Sequence, residues 1–410
     1  MPPGFSSKVP AVIGRGRAWT LGGAQLGLLL TIGLARGDTD TRDSANVRGS
    51  VEASTYSDTD HVLVVSPTVA LAVEDPVRGW SASGRYLVDI VSAASADIVS
   101  TASPRWHEIR HVGSLEGTYK PGDFGVAPRL SISREPDYLS LGAGLQLTQD
   151  FADKAWTVAL GYGYGHDTMS LGSTPFSVFS RTLDRHGLSA SVSAVVDRAT
   201  RVTLIADTIL ERGELAKLYR YVPTFDHGRS VVPQSASTEQ INEQRANERV
   251  AEHVPDARNR VAMTVRLAHR FTRWTFRGDQ RAYRDNWGLL AATTDVRFMA
   301  DASSRLLLWP HLRWHMQNGV SFWRRVYEIT TDASGARHVP VWITGNREQG
   351  PQRSLTVGGG VSWSIGPDED IGRRKLTFTV DGIGTWYGDS LFLQQRYGVF
   401  SALTFDAAFN

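Results

Sequence analysis

The sequence contains no cysteine among its 410 residues. This absence excludes thiol nucleophiles, Cys-ligated zinc, iron–sulfur clusters, disulfides and a lipidated N-terminal cysteine. The formal net charge is only +2, so no excess of charge indicates a nucleic acid or an acidic surface as partner. Long apolar runs are also lacking after residue 35, because charged residues interrupt each of them. Beyond the first segment, therefore, no membrane-spanning helix is expected.

The first segment has the pattern of a secretory signal. An uncharged run, Ala18–Ala35, follows three basic residues, Lys8, Arg15 and Arg17. Small residues then precede Asp38, as a signal peptidase requires. A single membrane anchor is the alternative, but the run is short and glycine-rich for a spanning helix. We predict a signal peptide over residues 1–37 and a mature chain over residues 38–410.

From residue 47 onward, apolar residues alternate with small or polar residues for about ten positions before each turn signal. Between Trp80 and Ile90, for example, every even-numbered residue is apolar or glycine, whereas most odd-numbered residues are polar. The pattern predicts an all-β fold with about sixteen strands. They are expected near 47–56, 61–73, 79–91, 108–120, 125–134, 138–149, 154–166, 180–196, 200–212, 258–271, 273–284, 288–299, 304–317, 353–365, 374–387 and 394–409.

The connections between these segments differ in length according to their parity. Every even-numbered connection is short, whereas the long connections, 92–107, 167–179, 213–257 and 318–352, are all odd-numbered. Outer-membrane barrels have short periplasmic turns and longer external loops, and a soluble sandwich has no reason to sort its loops this way. We therefore predict a transmembrane, antiparallel, up-and-down β-barrel in the outer membrane of a Gram-negative bacterium.

Charged residues mostly share a parity within each predicted strand and alternate with apolar residues. A charge facing lipid near the midplane costs about 2–4 kcal/mol, so the charged parity is expected to face the lumen. The predicted lumen or pore-lining residues are Arg85, Asp89, Glu108, Arg110, Glu116, Arg129, Asp207, Glu211, Arg260, Arg266, Arg270, Arg277, Asp279, Arg281, Asp295, Arg297, Arg305, Arg313 and Asp381.

Aromatic residues near segment ends fit an interfacial girdle, with the core of a sandwich as the alternative. They are Trp80, Trp156, Trp274, Trp363 and Trp386. The last segment also has an apolar face, from Tyr397 to Phe409, and ends almost at the terminus. This ending resembles the signal by which the barrel-assembly machinery recognises its clients, so outer-membrane lipid and that machinery are the expected partners.

Four stretches carry a family resemblance: Asp89–Trp106 followed by Glu108-Ile-Arg-His, Lys217–Pro223, Tyr283–Gly288 and Leu312–Trp323. They resemble an uncharacterised family of bacterial outer-membrane proteins that carries a domain-of-unknown-function label, and the similarity extends over nearly the whole mature chain. The resemblance implies an outer-membrane β-barrel. It implies no activity, ligand or catalytic residue.

Catalytic and metal-binding motifs are absent from the sequence. His107 with His111, and His311 with His315, are four residues apart, which on a strand separates the rings by about 13 Å, too far to share an ion. Four acids could contribute oxygens to a cation, but their spacing matches no known loop: Asp89, Asp97, Glu108 and Asp207. We predict no enzyme, no cofactor and no metal.

Arginine dominates the predicted lumen face of segments 10 to 13, where Asp279 and Asp295 lie among the basic residues. In a wide pore, such a basic wall opposite acids would favour anions. The alternative is a lattice of salt bridges that stiffens or closes the barrel. Sixteen strands leave room for an aqueous channel, so the sequence favours the pore slightly.

Two further loops have open interpretations. The small-residue loop Ser92–Pro104 could fold into the lumen as a constriction or remain an ordinary external loop. The 213–257 loop, with a polar helical stretch near Glu239–Glu252, could be a lid, a partner-binding arm or a disordered segment, and a solvated loop is the favoured interpretation.

Three functions are compatible with these patterns. The first is a porin-like passive channel for small hydrophilic solutes, with a preference for anions. The second is a non-conducting envelope barrel that binds partners or acts as a scaffold through its long external loops. The third, a hydrolase, would require a serine or an aspartate next to a histidine. The solute and the oligomeric state are left open.

Overall fold

The computed structural model describes residues 45–93, 106–172, 174–228, 232–234, 236–248, 250–367 and 372–409. The predicted signal peptide and most of the Ser92–Pro104 loop, including Asp97, lie outside these residues. Sixteen strands form one closed, antiparallel barrel in which each strand pairs with its neighbours in sequence. This confirms the predicted fold class and the number of strands.

The barrel strands begin and end within a few residues of the predicted segments. In chain order they are β1 (Asn46–Asp58), β2 (Val62–Asp75), β3 (Trp80–Ala93), β4 (Trp106–Tyr119), β5 (Phe124–Glu135), β6 (Tyr138–Phe151), β7 (Trp156–Met169), β8 (Arg181–Val195), β9 (Thr200–Gly213), β10 (Ala257–Arg270), β11 (Trp274–Asp285), β12 (Leu290–Asp301), β13 (Leu306–Gln317), β14 (Gln352–Ile365), β15 (Arg374–Tyr387) and β16 (Gln395–Phe409).

The first and last strands close the ring. β1 pairs with β16 from Val47 opposite Phe409 to Asp58 opposite Gly398. This antiparallel pair leaves no unpaired edge, so backbone N–H and C=O groups along both strands find partners within the sheet. The predicted C-terminal segment is thus the strand that completes the barrel.

The outer face is apolar through the middle of the strands. Leu115, Leu130 and Leu160 have 63%, 57% and 55% of their surface exposed, which in water would be unfavourable for so continuous a belt. Among the described side chains, the charged residues with outward parity all lie within four residues of a strand end: Asp75, Arg134, Asp184, Arg212, Arg284, Arg353 and Arg374. The belt therefore faces the hydrocarbon of a membrane.

The five predicted girdle tryptophans all have outward parity. Trp80, Trp156, Trp274 and Trp363 lie at strand ends near the short turns, and Trp386 lies near the long loops. An indole at these levels presents its apolar ring to lipid and its N–H to the polar interface. Among the described residues, no helix is long and apolar enough to cross a membrane.

One inward-facing patch is apolar, contrary to the expectation that the interior is ionic. At the long-loop end of β1–β3 and β16, buried Tyr56, Val64, Val91 and Phe400 pack together. Val64 is only 1% exposed. The lumen therefore has an apolar sector on this side and a charged sector on β9–β13.

Elements outside the barrel belong to the two longest loops. They are the strands Tyr221–Val222, Thr224–Asp226, Val250–Ala251, Tyr327–Thr331 and Arg337–His338, the helix α1 (Thr238–Gln244) and a 3-10 turn, Arg347–Gln349. A capping box begins α1: Ser237 Oγ accepts from Gln240 N at 3.3 Å, and Gln240 Oε1 accepts from Ser237 N at 2.9 Å. The helix is shorter than the predicted polar helical stretch, which extended to Glu252.

Candidate functional site

All nineteen predicted lumen residues lie on strands or at strand ends with inward parity. The register carries this parity around the ring: Asp89 faces Arg110, Glu116 faces Arg129, and Asp279 faces Asp295. Directly paired residues on neighbouring strands point to the same side of a sheet. The residues therefore share the inner wall of the barrel, and their role in lining a conducting pore stays a prediction.

Most inner arginines pair with an acid on the same or a nearby strand. Arg281 Nη1 lies 3.0 Å from Asp207 Oδ2, and Arg260 Nη2 lies 2.6 Å from Glu211 Oε2. Arg266 forks onto Asp279, with Nη2 at 2.8 Å. The remaining pairs among the predicted residues are Arg110–Asp89, Arg129–Glu116, Arg277–Asp279 and Arg297–Asp295.

These ion pairs run along the wall. Each joins residues on the same strand, on adjacent strands or on strands separated by one other, as when Arg281 of β11 reaches Asp207 of β9 over β10. No ion pair between described barrel residues crosses the lumen to the opposite wall. The salt-bridge lattice of the second sequence alternative is therefore present, but its described pairs follow the wall and do not bridge the interior. The open pore of the first alternative stays a prediction. The acids of this wall lie among the arginines on the same side of the lumen, not on the wall across from them.

Two of the predicted lumen arginines differ from the rest. Arg85 on β3 and Arg313 on β13 form no hydrogen bond or ion pair with any described residue. Arg305, at the short-turn end, donates to the carbonyl of Gly366, and Arg270 pairs with Asp301. Unpaired guanidinium groups keep their five N–H donors available to solvent or solute.

A histidine between two aspartates is the one inner arrangement that resembles catalytic machinery. His311 contacts Asp381 Oδ1 through Nδ1 at 3.1 Å and Asp295 Oδ2 through Nε2 at 3.0 Å. A ring that donates from both nitrogens has no lone pair with which to accept a proton. The nearby His315 Nδ1 instead contacts Thr293 Oγ1 at 2.8 Å. Among the described residues, His311 thus joins Asp295 and Asp381 along the wall.

Sequence reasoning missed further members of the wall. Arg258 Nη2 lies 2.5 Å from Asp285 Oδ2, and Arg185 pairs with Asp167, which also accepts from Tyr138. These residues have the same inward parity as the predicted set. Parity alone would have found them, but they lie toward the long-loop ends of their strands, where the apolar alternation that marks each face is weaker.

The two longest loops fold together over the long-loop end of the barrel, and we call residues 214–256 and 318–351 the cap. Thr224–Asp226 of the first loop pairs in parallel with Tyr327–Ile329 of the second. His253 and Ile343 exchange both backbone hydrogen bonds, at 3.0 and 2.8 Å. The favoured prediction of a solvated 213–257 loop is therefore wrong, because the loop finds a partner that is distant in sequence.

The cap has its own buried core. Phe225 and Ile241 have no exposed surface, and Ile329 and Ile343 are each 1% exposed. These are the largest fully buried side chains among the described residues. Each of the two loops has too few apolar residues to form such a core alone. The two loops therefore stabilise each other.

The cap is fixed to hairpins around the rim. Arg347 Nη1 lies 2.7 Å from Asp60 Oδ2 in the β1–β2 hairpin, and both side chains are buried. Gln394 of the β15–β16 connection donates to the carbonyl of Gln234 at 3.2 Å. Because the cap loops begin at β9 and β13, these contacts reach across the mouth. The cap therefore lies over the lumen rather than beside it.

A third anchor involves an acidic group beneath the cap. Tyr219 donates to Asp137 in the β5–β6 hairpin and accepts from Gly172 N. Burial, followed by the hydrogen bond to Asp137, raises the pKa of Tyr219 above its usual value. Oxygens of Glu108, Glu135 and Asp137 lie within 4.8 Å of one another, a spacing that a cation could bridge. Protein hydrogen bonds already engage this cluster, and we assign it to the cap anchor.

Comparison with known proteins gives one family and a set of barrels. A family model described as "Protein of unknown function (DUF3570)" matches residues 91–340. No curated protein matches the sequence. A bacterial polysaccharide outer membrane secretin is similar in structure, with 8% identity, a TM-score of 0.46 and coverage of 90% of this chain and 100% of that one.

Two Pseudomonas aeruginosa barrels are similar to a comparable degree. OccK5 (OpdH) has 7% identity and a TM-score of 0.42, with 90% of this chain and 99% of that chain covered. OprD has 7% identity and a TM-score of 0.42, with 90% and 96% covered. The fold itself, a closed ring of sixteen strands with an apolar exterior, is that of a bacterial outer-membrane barrel.

Proposed function

This chain belongs to the DUF3570 family of proteins of unknown function, so we propose a function from the barrel itself: a capped, porin-like passive channel for small hydrophilic solutes. The observation that supports the proposal is the direction of the ion pairs, which follow the wall and leave the interior of a sixteen-stranded ring unbridged. A ring of this size encloses an aqueous lumen. The cap would then control access from the long-loop side.

The proposal is non-enzymatic. Two described Asp/His contacts lie outside the lumen: His166–Asp184 on the outer face of β7 and β8, and His338–Asp332 at an exposed turn of the cap. On the described inner wall, His311 is the histidine that contacts aspartate, and both of its nitrogens face carboxylates. A general base needs one nitrogen free to accept the nucleophile's proton. The expected partners remain outer-membrane lipid against the apolar belt and the barrel-assembly machinery at β16.

Single-channel recording in planar bilayers tests the proposal. The refolded full chain is expected to give discrete conductance steps in KCl. Asp60→Asn, which weakens the buried contact with Arg347, is expected to raise the open fraction because the cap lifts more often. Asp332→Asn is the matched control, since Asp332 is an exposed acid of the cap that contacts only its own hairpin.

Absence of steps above leak in both the natural chain and Asp60→Asn would reject the channel. In that case the second candidate, a non-conducting barrel that binds partners through its cap, gains support. Exposed apolar residues on the cap favour this alternative: Val341 is 68% exposed, and Trp342, whose ring is tilted against that of His253, is 37% exposed. Solitary exposed apolar residues are common, so we place this function second.

A further inference from the structure

The charged sector of the lumen contains more arginines than acids around one position. On β9–β13 the inner side chains of Arg266, Arg277, Arg281, Arg297 and Arg313 lie among only three aspartates, Asp207, Asp279 and Asp295. Asp279 is shared between Arg266 and Arg277. One of the two excess positive charges therefore lies on that shared pair, and the other falls on Arg281, Arg297 and Arg313, which share Asp207 and Asp295.

Three of those arginines lie on three neighbouring strands, β11 to β13. Arg313 of β13 lies directly opposite Asp295 of β12. Arg297 is two residues further along β12, and Arg281 of β11 is paired with Thr293, two residues to the other side. Successive inward positions are about 7 Å apart along a strand, so the Cα atoms of the three arginines lie in three adjacent rows of the wall. Arg313 is within electrostatic range of both others.

Their hydrogen-bond capacity is largely unused. Arg313 has no hydrogen bond or ion pair within the described chain. Arg281 uses Nη1 alone, toward Asp207 and Thr264. Arg297 Nε is 3.4 Å from Asp295 Oδ1, too misaligned to bond, and is a buried donor without a hydrogen-bond partner. Such a donor is costly to bury unless something else accepts from it.

Asp295 cannot neutralise the group by itself. Its Oδ2 already accepts from His311, so the carboxylate is divided among His311, Arg297 and Arg313. Guanidinium groups bind carboxylate and phosphate oxygens through paired N–H donors. The side chains of Arg281 and Arg297 are 32% and 36% exposed, so they can be reached from the lumen.

We propose that Arg281, Arg297 and Arg313 form an oxyanion-binding site in the lumen, which takes the carboxylate or phosphate group of a small solute. The proposal rests on the channel function and names its solute class. Arg313 supplies the unpaired guanidinium, and the two flanking arginines complete the donor set. No covalent step is involved. An anion would pause at this site on its way along the wall.

Block of the KCl conductance by inorganic phosphate, and separately by acetate, tests the site. In the natural chain, both anions are expected to reduce the conductance at concentrations where chloride alone does not. Arg313→Gln is expected to raise the half-blocking concentration about tenfold, because it removes the charged donors. Arg313→Lys keeps the charge without the paired donors. Its half-blocking concentration is expected to lie between those of the natural chain and Arg313→Gln.

Arg85→Gln is the matched control. Arg85 is the other predicted lumen arginine that forms no hydrogen bond or ion pair with a described residue, so its replacement removes the same charge without breaking an ion pair. We expect it to shift the half-blocking concentration by less than about twofold, through the general field of the lumen alone. Equal shifts in Arg85→Gln and Arg313→Gln would overturn the site and leave only a diffuse charge effect.

A second measurement does not depend on conduction. Inorganic phosphate is expected to raise the thermal unfolding midpoint of the detergent-refolded natural chain and of Arg85→Gln, but not of Arg313→Gln, since a ligand that binds the folded state stabilises it. If the chain conducts but phosphate neither blocks the current nor raises the unfolding midpoint, the site is rejected and the channel is retained. If phosphate raises the unfolding midpoint but the chain does not conduct, the channel is rejected and the site is retained.

Discussion

In the barrel wall, large apolar side chains such as Leu115 and Leu130 point outward and more than half of their surface is exposed, whereas charged side chains point inward. In the cap, Phe225 and Ile241 are fully buried, and charged residues such as Asp332 lie on the surface. The same chain thus follows two opposite rules of burial.

The difference follows from the solvent at each level. Lipid surrounds the wall, so an apolar exterior costs nothing there and ions gather around the interior. Water surrounds the cap, so the hydrophobic effect drives apolar groups into its centre. A residue's favourable position in this protein therefore depends on its distance from the membrane. Four substitutions test that contrast, from the largest expected effect to the smallest.

Phe225→Ala removes the largest fully buried side chain among the described residues of the cap. A phenylalanine truncated in a core costs about 3–5 kcal/mol, and here the loss should fall on the cap alone. Limited proteolysis is expected to cut residues 214–256 faster, while the barrel keeps its heat-modifiable electrophoretic migration. Leu130→Ala on the lipid face is the control, since lipid fills the space. Joint loss of the barrel and the cap would contradict separate cores.

Leu130→Arg places a charge in the middle of the apolar belt. We expect a loss of about 2–4 kcal/mol in the free energy of unfolding from lipid vesicles, measured by denaturant titration. Val341→Arg, at an exposed site of the cap, should change that free energy little. If the two variants lose similar stability, the assignment of the belt to lipid is wrong.

Asp60→Asn keeps the shape of the side chain at the cap anchor but removes its charge. A hydrogen bond to a charged group contributes about 1.5–3 kcal/mol, so cap opening should become tenfold or more as frequent. Because the chain has no cysteine, Ile343→Cys provides a single buried thiol whose labelling rate reports opening. Asp332→Asn should leave the rate unchanged, and an unchanged rate in Asp60→Asn would remove Asp60 from the anchor.

Tyr219→Phe deletes one hydroxyl between the cap and Asp137. The loss of a single hydrogen bond is worth about 0.5–1.5 kcal/mol, so the same thiol should react a few-fold faster. Tyr397→Phe is the comparison, since that hydroxyl lies on the outer face of β16. Slower labelling in Tyr219→Phe than in the natural chain would show that the hydroxyl does not hold the cap.

Much of the wall could be predicted because its determinants are local. Alternation within their own strands predicts that Arg266 and Asp279 face the lumen, and this needs no knowledge of strand pairing. Their contact with each other required the register of β10 against β11. The meeting of Arg281 with Asp207 required in addition that both side chains reach across β10.

The cap and the apolar lumen sector could not be predicted for the opposite reason. Phe225 and Ile329 are about a hundred positions apart in the chain, and neither flanking sequence has the periodicity of a strand or helix long enough to indicate a core. Val64 and Phe400 likewise meet only because β1 closes against β16.

The sequence by itself determined the number of strands, their boundaries to within a few residues and the face that each side chain takes, because a pleated strand repeats every two residues and lipid tolerates only one of its faces. Tertiary structure alone decided that the ion pairs follow the wall, that Arg313 forms no hydrogen bond or ion pair with a described residue, and that the long loops cover the mouth. Those outcomes depend on register, ring closure and contacts between distant segments, which no local pattern encodes.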